Sequence, residues 1–126
     1  MFLRFVVTRI DDASHQPQGV FTAAYDLLES GELNSEEEER LREILFWFEK
    51  NLPSPSKYYK ARRAVFWFRS EAEENIRRIW DLVHLLRLHD YHVEVYKCRR
   101  LANIAWQDKF QVAAYPSDRD DKITVQ

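Results

Sequence analysis

Apolar residues recur along this chain with two different spacings, and the order of those spacings constrains the fold more than any other feature. Near the N-terminus, Leu3, Phe5 and Val7 occupy alternate positions, which is typical of a strand with one buried face. In the stretch 41–48, apolar residues recur at the three- and four-residue intervals of a helix. A chain that changes between these periods must pack helices against a sheet, so we expect an α+β domain.

Capping residues predict where the helices begin. A first helix is expected over residues 19–30. The second should begin at Ser35, which forms an S-x-x-E capping box with Glu38, and the third at Ser70, which forms another box with Glu73. The glutamates after Ser35 place negative charge at the positive end of the helix dipole. Capping therefore explains this acidic run without a metal site.

The remaining alternating segments predict strands. Besides the strand at residues 2–10, we expect strands at 63–69, 92–98, 102–107 and 109–115. The predicted order is β-α-α-β-α-β-β-β, a two-layer sandwich with one mixed sheet of four to five strands and about three helices on one face. Helical connections favour parallel pairing of the first three strands, and short links favour an antiparallel meander of the last three.

Length and residue usage narrow the class of protein. A chain of 126 residues suits a single domain, expected over residues 1–116, with a flexible polar tail over 117–126. Cys98 is the only cysteine, which excludes an internal disulfide and favours a reducing, cytoplasmic compartment. With Gly19 and Gly31 as the only glycines, no glycine-rich phosphate loop can form. No cofactor and no catalytic residue is predicted, and no apolar run is long enough for a membrane span.

The net charge of −2 conceals an asymmetry along the chain. Residues 1–50 carry 11 acidic and 5 basic side chains, whereas residues 51–115 carry 7 acidic and 12 basic ones. Such an imbalance can steer a charged partner or let two copies associate. The isoelectric point of about 6.1 argues against a dedicated nucleic-acid binder.

The sheet face opposite the helices is predicted to be uncovered. Strand alternation places an interaction surface there, formed by Arg4, Trp67, Arg69, Tyr96 and Tyr115. Large exposed apolar patches usually mark interaction sites. A basic, aromatic linker precedes the second predicted strand and is expected to add to this surface; its residues are Lys57, Tyr58, Tyr59, Lys60, Arg62 and Arg63.

Several functions fit this surface. A homodimer would bury it against a second copy, and symmetric dimers are the commonest soluble assembly. Nucleic-acid binding would use Trp67, Tyr96 and Tyr115 as stacking platforms. A cleft between the linker and the sheet edge could bind a small molecule. Alternatively, Tyr58 and Tyr59 of the linker fold over the sheet and complete the core, without binding a partner. The leading prediction is a non-enzymatic interaction or regulatory domain that binds a second copy or another protein.

His92 and Glu94 are the weak candidates for a metal or acid–base site. On a regular strand they share a face and could hold a metal ion or exchange a proton. Cys98 lies more than about 10 Å further along that face and cannot join them. Two ligands do not complete a site, so no metal is predicted. A small enzyme or ligand-binding protein, with a site near this pair and the basic linker, is the alternative function.

Overall fold

The computed structural model describes residues 1–10, 17–52 and 64–125, and within these ranges the chain forms seven strands and three helices. The strands are β1 (Phe2–Ile10), β2 (Pro17–Gly19), β3 (Val65–Arg69), β4 (Val93–Cys98), β5 (Asn103–Gln107), β6 (Gln111–Tyr115) and β7 (Lys122–Thr124). The helices are α1 (Val20–Ser30), α2 (Ser35–Asn51) and α3 (Glu73–Leu88).

The helix boundaries follow the predicted ones to within a few residues. α1 ends at Gly31, whose φ of 77° lies in the left-handed region that glycine adopts readily. α2 is capped by Asn34 rather than Ser35: Asn34 Oδ1 accepts from the Glu37 N–H at 2.8 Å, and Glu37 Oε1 accepts from the Asn34 N–H at 3.1 Å. The capping box is real but lies one residue earlier than the sequence pattern suggested.

The third helix begins three residues later than expected. Its N-cap is Ala72, whose side chain accepts no hydrogen bond, so Ser70 is not the cap. Instead, the Ser70 N–H donates to the Met1 carbonyl at 3.1 Å, which extends the contact between β3 and β1. Pairing with the sheet therefore outweighs the local capping signal at this position.

The sheet is antiparallel throughout the described residues, with the order β5-β6-β3-β1-β4-β7 and with β2 also paired to β1. The two-layer α+β arrangement is confirmed, but the expected parallel pairing of the first three long strands is wrong. β3 and β4 run in the same direction, yet β1 lies between them. The expected meander is reduced to the β5–β6 hairpin, because β4 pairs with β1 and β7 and not with β5.

All three helices pack on one face of the sheet and form the main core with β1, β3 and β4. Phe5 of β1 makes edge contacts with Phe68 and Trp80, at 6.5 and 5.2 Å between ring centroids. Phe48 of α2 lies 6.5 Å from the Phe68 ring. These aromatic contacts join the helix layer to the central strands.

The opposite face of the sheet is not bare, contrary to the sequence prediction. A second apolar cluster is buried there; its members are Val65, Trp67, Cys98, Leu101, Val112 and Ala114. The pairing of Val112 with Trp67 and of Ala114 with Val65 places these two residues of β6 on this side of the sheet. Leu101 belongs to the connection from β4 to β5, which lie on opposite sides of β1.

Residues 116–125, here called the C-terminal segment, also cross this face, because they connect β6 to β7 near the other edge. Residues 117–126 were expected to form a flexible tail, but Lys122–Thr124 pair with β4. Asp120 holds the crossing in place, since its carboxylate accepts from the Ala102 N–H at 2.9 Å and the Ser117 N–H at 3.1 Å. The chain thus covers its own second sheet face.

Candidate interaction surfaces

The five residues of the predicted interaction surface do not lie together on one exposed surface. Trp67 is only 3% exposed and Arg4 is also buried, while Arg69 and Tyr96 are half-buried. Tyr115 is exposed, but the pairing of Ala113 with Phe66 places it on the helix side of the sheet. Trp67 is therefore not accessible as a stacking platform.

Arg69 and Tyr96 make internal contacts that account for their positions. The Arg69 guanidinium donates to the Asp108 carbonyl at 2.8 Å and to the Gln107 side chain, so it supports the β5–β6 hairpin. The Tyr96 hydroxyl donates to Glu94 Oε2 at 3.2 Å. Burial, followed by the Glu94 carboxylate, raises the pKa of Tyr96, so the phenol keeps its proton at neutral pH.

The other predicted site residues divide into two groups. The basic linker, from Lys57 to Arg63, lies outside the described residues and stays a prediction. His92 and Glu94 do meet, with 3.2 Å between His92 Nε2 and Glu94 Oε1, on an exposed part of the surface. In the described part of the chain, no three His, Cys, Asp or Glu side chains are grouped so that they could hold a metal ion.

A small cavity of about 250 Å³ lies between the sheet and the C-terminal segment. Its lining is Arg4, Val65, Trp67, Pro116, Ser117, Asp118, Asp120 and Lys122. Pockets that enclose a ligand usually have volumes of about 300–1,000 Å³, so this one is small for that purpose. Nearby, burial raises the pKa of the Cys98 thiol, which donates to the Arg100 carbonyl and stays protonated.

The edge strand β5 is the first surface that sequence reasoning missed. It is the last strand of the sheet order, and among the described residues it pairs with β6 alone, so no described strand pairs with its other side. None of its residues, Asn103 to Gln107, carries a charge, and Ile104 is 43% exposed. At the other end of the sheet, β7 has only three residues, one of which is Lys122. The sequence signal that could have indicated this surface is the uncharged segment Asn103–Gln107 beside a hairpin turn.

A groove between α1 and α2 is the second missed surface. Its volume is about 620 Å³, and it is lined by Tyr25, Leu28, Ser35, Glu38, Glu39, Arg42, Glu43, Leu45, Phe46 and Glu49. The Phe46 side chain is 58% exposed beside this groove. The Tyr25 hydroxyl donates to Glu49 Oε1 at 3.0 Å and links the two walls. Burial, then the Glu49 carboxylate, raises the pKa of Tyr25, so the phenol keeps its proton at neutral pH.

The groove is acidic, with four glutamates against a single arginine. Arg42 Nε lies 3.5 Å from Glu38 Oε2, which is an exposed and weak ion pair. Within the described ranges, Glu39 and Glu43 have no hydrogen-bond or ion-pair partner. Capping was expected to account for the glutamates at residues 36–39, but the capping box uses only Glu37 of these four.

Comparison with protein-family models, with curated proteins and with solved structures found no significant match to this chain. None of α1, α2 and α3, the helices of the described residues, combines the length and the apolar character that a bilayer crossing requires.

Proposed function

We propose that this protein is a non-enzymatic interaction domain that assembles as a homodimer through β5. The observation that carries the proposal is that β5, an uncharged edge strand with a partly exposed Ile104, pairs with a strand on one side only within the described residues. Unpaired N–H and C=O groups on a sheet edge form a template for another strand. The homodimer is the assembly predicted from the sequence, but its proposed interface lies at the sheet edge and not on the sheet face.

β5 has fewer of the features that keep a sheet edge from pairing than β7 has. Natural edge strands are usually protected by lysine, proline, extreme shortness, an inward charge or a β-bulge. β5 has one of these protections, the register shift between Ile104 and Trp106, but its five residues include no charge and no proline. β7 has two of the protections, because it is short and begins with Lys122.

Self-pairing of β5 satisfies the symmetry of a dimer. A strand laid antiparallel to its own copy is related to that copy by a two-fold axis, so both subunits use the same surface. An uncharged strand placed opposite itself brings no like charges together. Cys98 is buried and cannot cross-link the two subunits, which fits assembly in a reducing compartment such as the cytoplasm.

Nucleic-acid binding and enzymatic function have less support. The predicted stacking residue Trp67 is buried, and the α1–α2 groove is acidic. His92 and Glu94 have no third ligand in the described residues.

A matched pair of edge variants tests the dimer. Ile104→Lys places a charge on β5, and Ile123→Lys places the same charge on β7, where Ile123 is 57% exposed. We expect the wild type and Ile123→Lys to have the mass of a dimer by light scattering. Ile104→Lys should weaken self-association by at least about tenfold, because each copy then brings a charged lysine to the edge that has to pair.

Thermal unfolding of each monomeric or dimeric variant provides the folding control. A wild type that has the mass of a monomer at every protein concentration would rule out the proposal. An Ile104→Lys variant that remains dimeric would place the interface elsewhere.

A further inference from the structure

The α2 wall of the α1–α2 groove has the length of a short helix. It extends from Ser35 to Glu49, which is about 21 Å along the helix axis, or four turns. Tyr25 and Leu28, which belong to a single turn of α1, form the opposite wall. A trough between two helices is the shape that an amphipathic helix enters when it binds with its apolar face.

Phe46 is the apolar contact point of this groove. It belongs to α2 but not to the buried stripe of that helix, and more than half of its side chain is exposed. The ammonium group of Lys50 lies 5.1 Å from the centre of the Phe46 ring. The ring therefore already accepts one cation from this chain and offers its surface to both apolar and cationic groups.

Two carboxylates are available for a partner beside Phe46. Glu39, Glu43 and Phe46 are spaced four and three residues apart on α2, so they lie on one side of the helix. Glu39 and Glu43 are unpaired within the described residues, whereas Glu38 and Glu49 already have partners. An occupant with positive charge along one side would meet both.

We propose that this groove binds a cationic amphipathic helix of a partner protein. Apolar side chains of the helix contact Phe46 and Leu28, and its lysines or arginines pair with Glu39 and Glu43. The excess of glutamates over arginine in the groove sets the sign of the partner. The groove and β5 are separate surfaces, because α1 packs on β1 and two strands, β3 and β6, lie between β1 and β5.

A synthetic peptide series provides the probe. The first peptide is fluorescein-labelled, about 14 residues long, with leucine at three- and four-residue intervals and lysine elsewhere. The second has glutamate in place of lysine, and the third has serine in place of leucine. We expect saturable fluorescence anisotropy with the lysine–leucine peptide and none with the glutamate peptide. The lysine–serine peptide should bind at least about tenfold more weakly, since it lacks the apolar contact.

Groove variants locate the binding. Phe46→Ser should weaken binding of the lysine–leucine peptide by at least about fivefold. The double variant Glu39→Lys/Glu43→Lys should weaken the same binding by at least about tenfold, because it reverses the charge at both positions. A matched double variant, Glu71→Lys/Asp118→Lys, changes net charge equally at exposed positions outside the groove. It should change affinity by no more than about twofold, since exposed charges at a distance are screened by salt.

Three results would overturn the proposal. Equal weakening by the two double variants would mean that only net charge attracts the peptide. If Phe46→Ser bound the lysine–leucine peptide as tightly as the wild type, the apolar contact of the peptide with Phe46 would be excluded. A lower mass of Phe46→Ser in light scattering would identify a second copy as the occupant. Ile104→Lys should bind the peptide as tightly as the wild type, so failure of the β5 dimer would leave this test intact.

Discussion

At the scale of single residues, Asn34 caps α2 although Ser35 fits the S-x-x-E pattern equally well. Both residues are followed by a glutamate three positions later, and the structure selects the Asn34–Glu37 pair. Asn34→Ala should lower the free energy of unfolding by about 1 kcal/mol, because the Glu37 N–H loses its acceptor. Ser35→Ala is the matched control and should change the free energy of unfolding little. Urea unfolding of both variants decides between the two caps, and a larger loss in Ser35→Ala would contradict the structure.

Glu37 also couples stability to pH. The Asn34 backbone N–H first, and then the hydrogen bond with His89, hold the pKa of Glu37 below its ordinary value of 4.5. The folded state therefore binds this proton less tightly than the unfolded state, so the contribution is present above pH 4.5 and is lost as the pH falls below it.

Glu37→Gln tests this coupling, because it keeps a capping oxygen but cannot ionise. We expect its urea midpoint to fall less than that of the wild type between neutral and acidic pH. If the urea midpoints of the two proteins fell in parallel with pH, ionisation of Glu37 would not contribute to the pH dependence of stability.

At the scale of elements, the C-terminal segment covers the second apolar cluster and is held by Asp120. Asp120→Ala leaves the Ala102 and Ser117 N–H groups without their acceptor and should destabilise the protein by about 1–3 kcal/mol. Loosening the segment should also expose Cys98, whose reaction with an aromatic disulfide reagent should accelerate by at least about tenfold.

Asp118→Ala is the matched control for this prediction, because Asp118 is an exposed residue of the same segment. Its thiol reaction rate should equal that of the wild type. If Asp120→Ala also reacted at the wild-type rate, the segment would not be what protects Cys98.

The elements with strong periodicity were predictable, and the sheet order was not. The alternation in β1 and the apolar stripe of α2, from Leu41 to Phe48, gave correct elements, and the stripe also gave the buried face of α2, whereas β1 buries Arg4 and Val6 on its other face as well. β2 and β7 have three residues each, too few to show a period. The pairing of β6 with β3, which turned Val112 away from the helices, depends on contacts between segments that are distant in sequence.

The candidate surfaces were harder to find for a related reason. The interaction surface predicted from alternation included Trp67, but alternation shows which side chains share a face and not what covers that face. The open side of β5 follows from its place at the end of the sheet order. The groove beside Phe46 requires α1 and α2 to be adjacent, which a helical period alone does not show.

At the scale of the whole molecule, the sheet has one protected end and one open end. β7 ends the sheet as a short strand with a lysine, whereas β5 is uncharged and, as far as the chain is described, pairs with a strand on one side only. The helix layer, with its acidic groove, lies over the central strands rather than beside β5. The molecule can therefore join a second copy at its edge and still present the groove to a partner.

Hydrogen–deuterium exchange at low and high protein concentration tests the β5 dimer most directly. At high concentration, the backbone amides of β5 should be protected, because self-pairing gives their open side hydrogen-bond partners. The amides of β7 should exchange at the same rate at both concentrations. The dimer is contradicted if no amide of Asn103–Gln107 gains protection as the concentration rises, or if protection rises at Lys122–Thr124 instead.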